Sequence, residues 1–122
     1  MRKQTSTNWH NEKSIKATCS TAYTLNLIAG RWKAGILWML IVHKNLRFSQ
    51  LRDELKGISE RMLAKQLREL EENGLVNRIV YPEVPPRVEY ELTELGHSMH
   101  PMLEQISDWG EIHREMVEDV AV

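Results

Sequence analysis

Cysteine is nearly absent from this chain: Cys19 stands alone. A single thiol rules out an intrachain disulfide and any zinc site built from several cysteines, and it suits a reducing compartment. It leaves room for a reactive thiol or a bond between subunits. Long apolar runs are missing as well. No stretch approaches the roughly 20 residues that span a bilayer. The opening segment, residues 1–16, is polar and lacks the apolar centre of a secretory signal. These absences predict an intracellular, cytoplasmic protein with no membrane partner. No internal repeat or low-complexity tract breaks the chain. Net charge is scarce too, at −1, which at first sight argues against a nucleic-acid partner.

What is present reverses that impression. The chain has 122 residues, 42% hydrophobic and 27% charged, enough for one soluble domain with a core. Its charge is divided by position. Residues 31–68 hold Arg31, Lys33, Lys44, Arg47, Arg52, Lys56, Arg61, Lys65 and Arg68 against Asp53, Glu54 and Glu60, a balance of +6. Residues 89–119 hold nine acids against Arg114, a balance of −8. The first block suits phosphate and the second would be repelled by it.

Periodicity and punctuation sketch the elements. Residues 1–18 show no apolar period and read as a flexible arm, with Trp9 as its one large apolar side chain. Residues 19–122 then form one domain. Ser20 is placed to cap a first helix over about Thr21–Ala29, carrying Tyr23, Leu25, Leu27 and Ile28, and Gly30 ends it. Residues 32–42 are apolar almost all round, as a central buried helix is. Leu46-Arg47-Phe48 is short but suits a sheet edge. Ser49 is placed to cap a helix reaching Lys56, with Leu51 and Leu55 facing the core.

After the turn at Gly57, Ser59 caps a cationic amphipathic helix. Leu63, Leu67 and Leu70 make its apolar stripe, and Arg61, Ala64, Lys65, Arg68, Glu71 and Glu72 its exposed face. Gly74 stops it. Two alternating runs, 75–81 and 88–93, read as half-buried strands joined by the tip Pro82-Glu83-Val84-Pro85-Pro86-Arg87. Thr93 caps a last helix running to about Glu118, kinked or broken at Pro101. Its apolar residues, Met102, Ile106, Trp109, Ile112, Met116 and Val120 among them, exceed what one small domain can cover, so a second subunit is expected.

A helix sized for a major groove followed by a hairpin is the layout of a winged helix-turn-helix. The fold class expected is therefore mainly α with a small antiparallel β wing. In such a motif the second helix enters the groove and its first residues reach base edges. Arg61 suits a bidentate contact to guanine, and Lys65 and Arg68 suit base or phosphate. Ser59 opens that helix. Gln66 could read adenine or be structural. Ser49 at a helix N-terminus, with Arg47 beside it, suits a phosphate oxygen. Arg87, projecting from a proline-stiffened tip, suits a narrow minor groove.

From Cys19 to about Gly110 the chain resembles the HxlR family of bacterial winged helix-turn-helix regulators, within the MarR-like superfamily. The residues that carry the resemblance are Cys19 with Ala22-Tyr23-Thr24-Leu25, then Ile28-Ala29-Gly30-Arg31-Trp32-Lys33. After them come Arg47-Phe48-Ser49-Gln50-Leu51-Arg52 and the whole stretch 57–96. The resemblance implies a homodimeric regulator that binds double-stranded, pseudo-palindromic DNA, expected to act as a repressor. It implies dimerisation through the first and last helices, here Tyr23, Leu25, Ile28, Met102, Ile106, Trp109, Ile112 and Met116. It also implies sensing of electrophiles or oxidants by an N-terminal cysteine, which matches Cys19. The proline that usually follows that cysteine is replaced by Ser20. A position just before a helix, with Lys16 nearby, would favour the Cys19 thiolate.

Other readings stay open. A winged helix can bind protein instead of DNA, but such a module has no need of Arg61, Lys65, Arg68 and Arg87 together. A regulator can take a small hydrophobic ligand at its dimer seam, where Trp9, Trp32, Trp38 and Trp109 would suit one, though core packing explains them equally. His97, His100 and His113 on the last helix have spacing that metal ligands can use, yet no carboxylate–histidine motif or nucleophile accompanies them. Neither an enzyme, a metal nor a cofactor is expected.

Overall fold

The computed structural model describes the backbone of residues 7–121 and the side-chain surroundings of residues 13–118. Trp9 and Val120 therefore lie outside the described side chains, as residues 1–6 of the expected arm lie outside the described backbone. The chain divides into two compact units, residues 1–30 and 31–122.

In the first unit, helix α1 spans Thr7–Leu27. The boundary expected after residue 18 falls inside it, and the helix that Ser20 was expected to cap begins well upstream. The segment lacks an apolar stripe, the usual signature of a helix packed on its own domain. Its Ser/Thr content reads as loop-forming for a related reason, since such side chains compete for backbone groups. Here they bond within the helix instead. The hydroxyls of Thr18, Thr21 and Thr24 donate to the carbonyls of Ser14, Ala17 and Ser20, at 2.9, 2.8 and 3.0 Å. Gly30 follows at φ +93°.

The second unit runs α2 (Lys33–His43), β1 (Asn45–Arg47), α3 (Phe48–Glu54), α4 (Glu60–Glu72), β2 (Val76–Tyr81), β3 (Arg87–Leu92), α5 (Glu94–His97) and α6 (His100–Ala121). The antiparallel sheet has the order β1-β3-β2. Leu46 opposes Tyr90, and Val76 opposes Leu92, so all four apolar side chains are buried. The short run around Leu46 pairs as a sheet edge, as its length suggested.

The core gathers one face from each element. Ile36, Leu37, Leu40, Leu51, Leu63, Leu67 and Leu70 are fully buried. Helix α2 is central but not enclosed: Trp38, Met39 and Ile41 are half-buried and Val42 is exposed. Apolar composition alone does not say whether such a side meets the chain's own core or remains uncovered.

A clamp joins the end of α4 to the start of α5. Gly74, at φ +74°, ends α4 in the left-handed conformation that glycine favours, and the Leu75 N–H donates to the Leu70 carbonyl at 3.0 Å. Thr93 holds both sides. Its N–H donates to the Leu75 carbonyl at 3.0 Å, and its hydroxyl donates to the Gly74 carbonyl at 2.6 Å and accepts the Gly96 N–H at 2.9 Å. Helix α5 ends at His97, and Pro101 lies in the first turn of α6, so the expected break falls just before it.

At Gly96 a Cβ would lie 2.2 Å from the Leu75 carbonyl oxygen and 3.2 Å from the Leu92 Cβ. The nearest atom is backbone within the clamp and cannot step aside. Gly96→Ala is expected to destabilise the domain by about 1–3 kcal/mol or more, an overpacking cost. Urea denaturation checks this; a midpoint within error of wild type would show that the clamp yields freely.

Candidate nucleic-acid interface

Helices α3 and α4 and the turn between them form the helix-turn-helix. The Leu55 and Ile58 N–H groups donate to the carbonyls of Leu51 and Leu55, at 3.0 and 3.1 Å, with Gly57 at φ +91° and Ile58 buried. At the head of α4 the Ser59 hydroxyl accepts the Met62 N–H at 3.1 Å, the expected cap, worth about 1 kcal/mol. Helix α3 starts two residues earlier than expected. Arg47 is its cap, its N–H donating to the Gln50 Oε1 at 2.8 Å, and Ser49 lies exposed inside the first turn. The reason is that a Gln at the third helical position reaches back to the capping N–H.

Leu63, Leu67 and Leu70 face inward with at most 1% exposure, which leaves the opposite side of α4 to solvent. Arg61, Lys65 and Arg68 lie there, exposed. Alone, α4 is not basic, because Glu60, Glu69, Glu71 and Glu72 outnumber its cations. The fold corrects this. Arg52 of α3 pairs with Glu60, and Lys33 of α2 pairs with Glu69 at 2.6 Å. Glu71 and Glu72 fall in the last turn. Arg61, Lys65 and Arg68 keep no ion-pair partner among the described residues. Neither bridge was readable in the sequence, since each joins different helices. Gln66 is half-buried and its Nε2 donates to the Met62 Sδ at 3.2 Å, which favours the structural alternative.

The wing departs from expectation. Arg87 does not project. Its guanidinium lies over the Tyr81 ring at 4.1 Å, with Nη2 at 3.2 Å from Glu83 and Nε at 3.7 Å from Glu89. Each contact is worth about 0.2–1 kcal/mol at such partly exposed sites. Cross-strand pairing of Tyr81 with Arg87 sets ring and guanidinium side by side, a consequence of register that composition does not show. Arg47, Ser49 and Arg87 nonetheless line one open recess of about 490 Å³ between the start of α3 and the wing tip. Arg78 on β2 is also exposed. Its place in an alternating strand gave no signal.

The remaining sequence candidates distribute as follows. Cys19 is free and exposed, but it lies in the body of α1, so the argument from a helix N-terminus no longer applies. Tyr23 and Leu25 are exposed, whereas Ile28 is buried, with 8% exposure. Ile106, Trp109, Ile112 and Met116 form an exposed apolar row on α6, and Met102 is half-buried. His100 lies edge-on to Trp38 and 3.5 Å from Glu104, and His113 stacks on Trp109. No three His, Cys, Asp or Glu side chains converge among the described residues, and no helix of the described chain is long and apolar enough to cross a membrane.

A three-helix core, a helix-turn-helix with a cationic outer face and a β wing define the class: a winged helix-turn-helix transcriptional regulator. The family model for HxlR-like helix-turn-helix proteins matches residues 27–118, and the chain belongs to that family. It is 45% identical over 103 residues to the HTH-type transcriptional regulator YybR of Bacillus subtilis, covering 84% of this chain and 82% of that protein. It is 50% identical over 95 residues to an HTH-type regulator of Methanothermobacter thermautotrophicus, covering 78% and 72%. Among solved structures it is similar to the redox regulator HypR in its reduced form, with a TM-score of 0.77 and 42% identity over 82% of this chain and 98% of that one. It is also similar to diamide-treated YodB of B. subtilis, with a TM-score of 0.63 and 32% identity over 74% and 88%. These relatives are transcriptional regulators, not enzymes.

Lys33 also leaves a titration signature. Its hydrogen bond holds the Glu69 carboxyl below its usual value against a smaller opposing effect of burial, with Lys65 and Arg68 adding to the charge. A carboxylate depressed by folding stabilises the fold above its unfolded value and loses that contribution as pH falls through its folded value. Nuclear magnetic resonance titration of Glu69 in Lys33→Gln is expected to show the carboxyl moving back up. An unchanged titration would assign the depression to other charges.

Proposed function

We propose that this regulator is a homodimer that sets α4 of each copy in the DNA major groove and represses transcription at the site it occupies. The observation that carries the reading is the row Arg61, Lys65 and Arg68, whose competing carboxylates, Glu60 and Glu69, are taken up by Arg52 and Lys33. A free cation row on an exposed helix is what phosphate and guanine edges recruit. Ser59, Arg47 and Ser49 lie along the same motif and supply further backbone contacts. A protein-interaction module would have no use for unpaired cations of this kind.

Dimerisation is supported by exposed apolar surface. Trp109, Ile112 and Met116 are 65%, 55% and 67% exposed. Tyr23 and Leu25 of α1 are exposed too. A second copy covering these faces sets two recognition helices roughly 34 Å apart on a pseudo-palindromic site. Cys19, exposed on α1, is the natural point for an oxidant or electrophile to alter that spacing. The likeness to HypR and YodB, solved in reduced and oxidised or diamide-treated forms, supports this part of the reading.

Two measurements test it. On a duplex selected from random sequence by the wild-type protein, Arg61→Ala and Lys65→Ala are each expected to lower affinity about tenfold or more, from about 1–3 kcal/mol per base contact. If both bound as wild type does, α4 would not be the reading helix. Diamide is expected to weaken binding of the wild type and to leave Cys19→Ser unaffected. A Cys19→Ser protein that still responds would remove Cys19 from the sensing role.

A further inference from the structure

Helix α4 presents cations free of partners, while the wing presents none at its tip. The hairpin from Val76 to Leu92 holds Arg78 and Arg87 against Glu83, Glu89 and Glu91, a net charge of −1. Its tip arginine is committed three ways, to Tyr81, Glu83 and Glu89, and the Arg87 Nε is buried without a hydrogen bond. Arg87 is bound into the hairpin as a strut. Past it Val84 is fully exposed, between Glu83, whose carboxylate pairs with Arg87, and the exposed pair Pro85-Pro86. That tip borders the same recess as Arg47 and Ser49 at the start of α3, so it is continuous with the face assigned to DNA.

We propose that the wing meets DNA through the apolar side chain of Val84, which enters a groove against sugar and base edges, while Arg87 makes no phosphate or base contact and serves to hold the hairpin's shape. The inference rests on the DNA-binding reading above and deepens it. Apolar side chains at wing or ribbon tips can pack into the minor groove and read its width rather than its charge. Glu83 and Glu89 then have a second effect, since they keep the tip from seizing phosphates at any sequence. The wing's contribution becomes sensitive to groove shape and insensitive to salt.

The test measures affinity and its salt dependence for a duplex selected by the wild-type protein, using Val84→Ser, Arg87→Met and Arg61→Ala. Val84 touches nothing that folding requires, and Met keeps an apolar stem against Tyr81 in place of the guanidinium. Val84→Ser is expected to weaken binding about tenfold, as loss of a buried apolar contact does, with the salt slope unchanged. Arg87→Met is expected to keep the wild-type salt slope. A slope reduced by about one, the signature of a lost phosphate contact, would show that DNA draws Arg87 from its carboxylates and would overturn the proposal. Wild-type affinity in Val84→Ser would overturn it equally. Arg61→Ala separates this outcome from failure of the underlying reading: its loss of binding keeps α4 as the reading helix whatever the wing variants do.

Discussion

The inward burial of three leucines on α4 governs everything this protein presents to a partner. Leu63, Leu67 and Leu70 are almost wholly excluded from solvent, and truncating one such side chain costs about 2–5 kcal/mol. No weaker interaction on the helix competes with that. The stripe fixes rotation about the helix axis, and rotation decides that Arg61, Lys65 and Arg68 face outward. The cap at Ser59 fixes where the helix begins, and so which residues lie in its leading turn. The Gly74 stop and the Thr93 clamp fix where it ends and turn the chain into the wing. Recognition geometry is thus a by-product of core packing.

Electrostatics are arranged around that constraint rather than along the sequence. The net charge of −1 conceals a cationic surface made by pairing. Lys33 and Arg52 do not join the exposed row; they neutralise the acids that would weaken it. The wing follows the opposite course, with two carboxylates around one arginine. One small domain therefore carries two kinds of surface, a helix face with a row of free cations and a wing tip whose arginine is paired. The Arg52–Glu60 pair and the pairs around Arg87 are partly exposed and add little to stability, about 0–1 kcal/mol each, so their importance here lies in which charges they leave over.

Exposed apolar surface is the other unresolved quantity of the single chain. The row Ile106, Trp109, Ile112 and Met116 has the three- and four-residue spacing of a packed helix, yet it is open to water. Helix α1 shows the converse. It has no stripe, its hydroxyls are turned onto its own backbone, and no pattern in the sequence announces it as a helix before Thr21. A helix lacking a buried stripe is where period-based reading fails, because the period records burial rather than helicity.

Much of the fold was legible because its signals are local. Ser59, Gly74, Thr93 and the leucine spacing of α4 each act within a turn or two of themselves, and each stands where the sequence indicated. Pro101 marked its break for the same reason, a missing N–H and a fixed φ. The cap of α3 falls at Arg47 rather than Ser49, because the Gln50 side chain accepts the Arg47 N–H and fixes the start of the helix there. What only the tertiary structure decided depends on how separate elements meet: the Lys33–Glu69 and Arg52–Glu60 bridges between helices, and the capture of Arg87 by Tyr81 and two glutamates in the hairpin. Residue identity and spacing determine what a helix or turn will be, since those energies come from near neighbours. Which charge remains free is settled only when strands take their register and helices their faces, because a pair forms wherever the fold brings opposite charges together.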